Sequence, residues 1–288
     1  MSYVLPPLGS ANRMASQLEQ SLNLFNHIEW VERTDSTNGD LIQRARSGSG
    51  SIVRPWLLGA HLQDRGRGRA GRTWQNRAGS HLMFSCAFDI FLPARSLATL
   101  SPLAGVAACE ALRRLLPARH QVALALKWPN DILWYGAKLA GILTEVTRAS
   151  TAPSSADHHV VVIGIGINLD DARSLSQSLN RQVADWSTVC QDCPDIQAHR
   201  HADLVANIAR AWYETMNQTT AYGFDNLSSR YAEVDALSGQ NVSIIDNGRT
   251  LYSGIASGIN ETGQLLVRSA LGCEAISVGE VSVRPTHR

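Results

Sequence analysis

Lys127-Trp128-Pro129-Asn130-Asp131-Ile132-Leu133-Trp134-Tyr135-Gly136-Ala137-Lys138-Leu139-Ala140-Gly141-Ile142-Leu143-Thr144-Glu145-Val146 holds a strand end, two tight turns and two further strand patterns. Residues 122–128, 132–134, 139–146 and 160–167 read as four successive strands of apolar and β-branched residues, bounded by turn residues. They are joined by turns and by one Ser/Ala/Pro loop over 149–157. Strands in immediate succession argue against a doubly wound sheet, in which each strand is followed by a helix. The fold class is α+β: a mixed, largely antiparallel sheet with helices.

Upstream, residues 14–25 read as a short amphipathic helix and 28–33 as a strand. Asp35-Ser36-Thr37-Asn38 starts a helix running to about Arg46, followed by a loop at Ser47-Gly48-Ser49-Gly50. Residues 56–62 form a strand. Leu82, Phe84, Cys86, Phe88 and Ile90 alternate with more polar residues, the pattern of a strand with one buried face. A helical period then runs from Leu97 to Leu115. Downstream, 202–219 is a long helix and 225–235 a shorter one. After Ala236 only short β patterns remain, separated by Asp246-Asn247-Gly248 and Asn260-Glu261-Thr262-Gly263. Two domains are expected, 1–235 and a small C-terminal β-barrel over 236–288.

Composition narrows the function classes. The chain has 288 residues and a formal net charge of +1, so its overall field does not predict a nucleic-acid or membrane partner. The start of the chain lacks a basic segment followed by an apolar one, and no apolar run would span a bilayer. A cytoplasmic protein is expected. Five cysteines, an odd and sparse set, do not make a disulfide framework. Cys86 and Cys109 fall in apolar periodic segments. Cys190 and Cys193 form a C-x-x-C with His199 and His201 nearby, a spacing unlike the usual zinc finger.

Gly66-Arg67-Gly68-Arg69-Ala70-Gly71-Arg72 satisfies G-x-G-x-x-G to the letter and lies one residue from a Walker A motif. Both labels require a helix directly afterwards, whereas Thr73-Trp74-Gln75-Asn76 leads toward a strand. The physical content survives. Glycines allow close backbone approach, and arginine forks match phosphate oxygens. The loop suits closure over a polyphosphate, or else is a flexible RG segment that touches RNA. Lys127 and Lys138 flank one hairpin with Asn130 and Asp131 between them. Lys138 is expected to be a surface-directed strand-end lysine reaching back toward Lys127 and Asn130. Gly164 and Gly166 lie on one side of a strand, where something packs against bare backbone: a ligand, or a tight helix-on-sheet contact.

Taken together, Ser36-Thr37-Asn38, Gln63 through Trp74, Lys127 through Asp131, Lys138 through Glu145 and Gly164-Ile165-Gly166-Ile167-Asn168 resemble, in order, the motifs of the biotin protein ligases. The resemblance runs from about Trp30 to Arg284. It implies a class II synthetase-like catalytic domain and an SH3-like C-terminal barrel. It also implies ATP and biotin as substrates with Mg²⁺, and a biotin carboxyl carrier protein as partner. Catalytic roles fall on Lys138, Arg69 and Lys127. Biotin binding falls on Ser36, Thr37, Asn38, Gln63, Gly66, Arg67, Gly68, Arg69, Lys138, Gly141, Gly164 and Gly166. Binding of ATP and the adenylate falls on Arg67, Arg69, Arg72, Trp74, Lys127, Asn130, Asn168 and Trp186, the last by stacking on adenine. The ligands of the metal are not assigned. Asp64-Arg65 depart from the small or neutral residues usual there, which alters loop charge. The resemblance further implies a monofunctional ligase without sequence-specific DNA binding. A lipoate–protein ligase and an RG-loop nucleic-acid-binding protein are the competing readings.

Overall fold

The computed structural model describes residues 5–47, 53–148, 157–194, 196, 200–246, 249–277 and 282–285. The expected loops at Gly48-Ser49-Gly50 and 149–156, the Asn247-Gly248 turn and His199 lie outside the described residues.

The chain order is α1 (Ala11–Ser21), β1 (His27–Thr34), α2 (Thr37–Ser47), β2 (Trp56–Gln63), β3 (His81–Phe91), α3 (Leu100–Arg113), α4 (Ala118–Gln121), β4 (Leu124–Lys127), β5 (Asp131–Trp134), β6 (Ala137–Thr147) and β7 (His158–Asn168). There follow α5 (Ala172–Leu179), α6 (Trp186–Asp192), α7 (His201–Tyr222), α8 (Leu227–Val234), β8 (Asn241–Asp246), β9 (Arg249–Ile259), β10 (Leu265–Ser269), β11 (Gly272–Ile276) and β12 (Ser282–Pro285). Seven strands form one sheet in the order β1-β2-β3-β7-β6-β5-β4. Only β1 and β2 pair in parallel, joined by the crossover helix α2. The consecutive strands β4 to β7 pair antiparallel, β4–β5 and β5–β6 through tight turns. The second sheet, β11-β10-β9-β8-β12, is antiparallel throughout.

The two faces of the large sheet do different work. One carries the main core: Leu82, Phe84, Cys86, Phe88 and Ile90 of β3 and Val161, Ile163, Ile165 and Ile167 of β7, packed with α3 and α7. Each large apolar side chain fully buried there contributes roughly 1.5–3 kcal/mol. The other face is covered only in part, by α2, whose Leu41 and Ala45 pack on Trp56, Leu58, Ala87, Val160 and Val162. β3 is therefore buried on both faces, not one as its alternation suggests, because α2 covers the side facing away from the main core. The remainder of that second face floors the site, with Met83 and Ser85 buried beneath it.

Other boundaries shift for identifiable reasons. The first helix begins at Ala11, earlier than expected, and ends at Ser21; Ser10 caps it through the Arg13 N–H, and Glu32 of β1 accepts from the Ala11 N–H at 3.1 Å. The helix expected from Leu97 opens as a 3₁₀ turn over Ala94–Thr99 and becomes α-helical at Leu100. Val122 is exposed and outside β4. The second sheet is seated on the first unit by the β9–β10 turn. Trp128 Nε1 donates to the Gly263 carbonyl at 3.0 Å and Thr99 Oγ1 to that of Thr262 at 2.9 Å. A side chain at Gly263 would start 2.7 Å from Pro102 and need a left-handed backbone. Among the described residues no helix is long and apolar enough to cross a membrane.

Candidate functional site

Antiparallel register places directly opposed residues on one face, and here it sets two rows across the partly covered face. Asp131, Gly141, Gly166 and Met83 are successive partners on β5, β6, β7 and β3. Leu143, Gly164 and Ser85 form the row beside it. Along β7 this face runs from Val160 and Val162 beneath α2, through Gly164 and Gly166, to Asn168.

The glycines leave room for particular side chains. A Cβ at Gly164 would lie 2.1 Å from Asn38 Oδ1 and 2.8 Å from Ser85 Oγ, and one at Gly166 would lie 2.4 Å from the Trp74 ring. At Gly141 the Trp74 ring and Lys138 Nζ both stand 3.2 Å from that position. The bare backbone thus accepts a polar residue from α2 and an indole from the Arg/Gly loop.

A polar cluster closes one end. The Thr37 N–H donates to Gln63 Oε1 at 2.8 Å, and the Thr37 and Ser85 hydroxyls meet at 2.7 Å. Ser85 Oγ donates to Asn38 Oδ1 at 2.6 Å, while Asn38 Nδ2 donates to Leu143 O at 3.2 Å and Glu145 Oε2 at 2.9 Å. Ser36 caps the start of α2, its Oγ accepting from the Gly39 N–H at 3.4 Å. Gln63 is held by Asn76 through both its backbone N–H and its carbonyl.

The Arg/Gly loop is an ordered hairpin. Gly68 N–H donates to Arg72 O at 2.7 Å and Trp74 N–H to Gly66 O at 2.8 Å, and Arg67 bridges Thr73. The tip turns through Ala70 and Gly71, both at positive φ. A side chain at Gly66 would start 2.9 Å from the Trp74 carbonyl. No helix follows, only β3, so neither nucleotide-loop label applies. Arg67 pairs with Glu145 at 3.0 Å. Trp74 Nε1 and His81 Nε2 are buried without a partner among the described residues, and their rings meet edge to face at 6.3 Å. Orphaned buried polar nitrogens are uncommon and call for an occupant that satisfies them.

Cations gather at the other end. Lys138 Nζ contacts Asp131 Oδ1 at 2.6 Å, with 15% of the lysine side chain and 23% of the aspartate side chain exposed. Its ammonium also stands 5.7 Å from the Trp74 ring centre. Burial pulls the Lys138 pKa below the ordinary lysine value, Asp131 opposes that shift, and Arg181 and Arg72 add to it by repulsion. Burial likewise lowers Arg69, with the field of Asp131 acting in opposition. A cavity here is lined by Thr73, Trp74, Lys138, Leu175, Leu179 and Val183 among others.

Several expectations change. Lys138 is not a surface-directed lysine: it is largely buried within β6, with the segment after α5 bridged to its backbone, and it does reach back toward the Lys127–Asn130 turn, where its partner is Asp131. Asn130 turns to β6, donating from Nδ2 to Ile142 O at 2.6 Å. Lys127 sits across β4–β5 from Asp131. Asn168 ties two backbones, donating to Lys138 O at 3.2 Å and Ala184 O at 3.0 Å. Trp186 is 1% exposed; Asp185 caps α6 and the ring packs in the main core. Sequence reasoning assigned no role to Ser85, Met83, Asn76, Asp131, Glu145 or Arg181. For Ser85 a signal existed: it is the polar residue out of phase with Leu82, Phe84 and Cys86. Cys190 and Cys193 are buried thiols, and among the described residues no three His, Cys, Asp or Glu side chains group as metal ligands.

Residues 30–168 match the Biotin/lipoate A/B protein ligase family, and residues 237–284 match the Biotin protein ligase C terminal domain. The chain is 32% identical over 254 residues to a biotin–[acetyl-CoA-carboxylase] ligase of Paracoccus denitrificans, covering 87% of this chain and 98% of that protein. It is 29% identical over 277 residues to the enzyme of the same name from Mycobacterium tuberculosis, covering 96% of each. In fold it resembles a biotin protein ligase from Aquifex aeolicus solved with biotin and ATP, with a TM-score of 0.69 at 22% identity over 91% of this chain and all of that one.

Proposed function

From the premise that this chain belongs to the biotin protein ligase family, we propose how its own residues divide the work of activating and transferring biotin. The protein is an ATP-dependent ligase. In the first step an oxygen of the biotin carboxylate attacks the α-phosphorus of ATP, the bond to the β-phosphate breaks, and pyrophosphate leaves. In the second, a lysine amine attacks the carbonyl of biotinyl-5′-AMP, loses its proton, and AMP leaves.

The observation that carries the assignment of the reacting centre is the buried Lys138–Asp131 pair beside the Gly141–Gly166 row. Biotin lies along that row. Ser36, Thr37, Asn38, Gln63 and Ser85 receive its ureido head, where donors and acceptors are already crossed in one network. Gly66, Arg67, Gly68 and Arg69 close over it, and Trp74 yields or packs against it, its orphaned Nε1 gaining a partner. The carboxylate then arrives beside Lys138. Bringing one anion to another is the main obstacle of the first step. A cation held in place by Asp131 offsets that repulsion without having to reorganise. Arg69, Arg72 and Lys127 add positive charge around the phosphates. Leu175, Leu179 and Val183 form the apolar wall for the nucleobase, with Asn168 fixing the backbone beneath it. Closure of the Arg/Gly hairpin excludes water from the anhydride.

The residues fit Mg²⁺ held mainly through the substrate's phosphate oxygens and water, with at most one or two carboxylates from the protein. Among the described residues Asp131 is the carboxylate at the cation cluster, and Lys138 engages one of its oxygens. The ion would supply charge neutralisation on the phosphates. The catalytic unit is read as residues 1–235 and the β unit as 236–288, and the acceptor is the lysine of a biotin carboxyl carrier domain. Incubation with biotin, ATP, Mg²⁺ and a purified carrier domain, read by mass spectrometry, tests the whole reading. One biotinyl group on one carrier lysine is expected; an unmodified carrier, or equal loading with lipoate, overturns it.

A further inference from the structure

Arg181 belongs to none of the motifs, yet the backbone around it is held beside the reacting lysine. Asn180 ends α5 in the left-handed region, at φ 45° and ψ 47°, and turns the chain back. The next residues run beside the reacting lysine. Lys138 N–H donates to Gln182 O at 3.1 Å, Ala184 N–H donates to Lys138 O at 2.9 Å, and Lys138 and Val183 form a parallel bridge. Ser176 closes the loop from the other side, accepting the Val183 N–H on Oγ at 3.0 Å and the Arg181 N–H on its carbonyl at 3.3 Å. Arg181 thus stands one residue before the segment bonded to Lys138.

Arg181 is exposed and lines the same cavity as Lys138, Thr73, Trp74, Leu175 and Leu179. Among the described residues no carboxylate pairs with it. Its charge is close enough to Lys138 to help depress that lysine's pKa. Two cations facing one cavity, with Asp131 bound to only one of them, repel until an anion enters. Resting on the ligase reading, we infer that Arg181 binds the α-phosphate of the nucleotide, in ATP and again in biotinyl-5′-AMP. The position selects that phosphate. The cavity that Arg181 lines is shared by the apolar Leu175, Leu179 and Val183 and by the reacting lysine, and the α-phosphate is the group that joins nucleoside to reacting carbonyl in both molecules. A guanidinium fork suits two non-bridging oxygens. Arg181 is then a determinant of how firmly the adenylate is retained between the two steps.

The full chain as Arg181→Gln and Arg181→Lys tests this. Three quantities are measured beside wild type: the KM for ATP in biotin-dependent pyrophosphate exchange, the release rate of biotinyl-AMP on rapid dilution, and the Kd for biotin alone by calorimetry. Loss of one charge-assisted contact predicts a rise in KM for ATP and in release rate of roughly tenfold to a hundredfold for Arg181→Gln. Arg181→Lys should recover part of it, and biotin alone should bind as in wild type. Unchanged KM and release overturn the inference. So does an equal weakening of biotin alone, which would mean that the substitution acts through loop structure. Wild-type exchange is the control that separates the two levels. If wild type does not exchange, the ligase reading fails; if wild type exchanges and Arg181→Gln matches it, only the role of Arg181 fails.

Discussion

Lys138→Ala separates the catalytic from the structural content of the site, because the structure assigns a magnitude to each. The ammonium is 2.6 Å from Asp131 Oδ1, and the two side chains are 15% and 23% exposed. Removing one partner of a fully buried pair costs about 3–5 kcal/mol. Here roughly a quarter of the carboxylate reaches solvent and Arg69 remains in its field, so a loss of about 1–3 kcal/mol is expected. At about 2–4 °C per kcal/mol for a chain of this size class, that lowers Tm by several degrees and leaves the protein folded at 25 °C. The catalytic loss is larger. A preorganised donor facing developing charge contributes about 2.7–4 kcal/mol, which is about a hundredfold to a thousandfold in the adenylation rate. The assay is single-turnover formation of biotinyl-AMP in a quenched-flow instrument, well below the variant's Tm and with saturating substrates. Asp131→Asn should be less severe, since it removes the brace and keeps the cation. A folded Lys138→Ala that adenylates within about threefold of wild type would refute the electrostatic reasoning, whatever its Tm.

Gly164→Ala should be destabilised by about 2–4 kcal/mol, since its Cβ would stand 2.1 Å from Asn38 Oδ1 and break that residue's buried bonds; a urea titration showing under 0.5 kcal/mol of change contradicts the packing. Arg69→Gly should leak biotinyl-AMP into solution faster, as the loop loses a half-buried cation over the site; identical release after rapid dilution removes that role. The pH dependence has opposite signs for activity and stability. Lys138 is depressed below 10.5 by burial, so adenylation should fall as pH rises through that lowered value, and Lys138→Arg should push the basic limb upward. Over the same interval the unfolded chain still holds the proton that the folded one has released, so this group makes the fold more stable as pH rises. A basic limb that is the same in Lys138→Arg assigns the titration elsewhere.

The sheet was legible because β4 to β7 follow one another with no helix between them, so local pattern and topology agree. The glycine pair on β7 was legible as a close approach, though not what approaches: an asparagine from α2 and an indole from the hairpin arrive from distant sequence. The surroundings of Lys138 were not legible, since residues 182–184 reach its backbone and the Trp74 ring its ammonium from distant sequence, the former held there by Asn168 and by a left-handed turn at Asn180. Helix α6 did carry a local signal, Asp185 three residues before Thr188, whose N–H it accepts at 2.8 Å. The same cap turns Trp186 into the core, which the sequence alone reads as an exposed loop tryptophan. Ser85 was hidden in plain alternation: its phase is evident, but its importance depends on Thr37 and Asn38 reaching it from α2.

The central claim is that this chain joins biotin to the α-phosphate of ATP. Biotin-dependent exchange of labelled pyrophosphate into ATP measures that step without a carrier protein. Exchange that requires biotin, is not supported by lipoate, and collapses in Lys138→Ala is the predicted result. No exchange by a folded wild-type protein with biotin, ATP and Mg²⁺, or exchange independent of biotin, would contradict it.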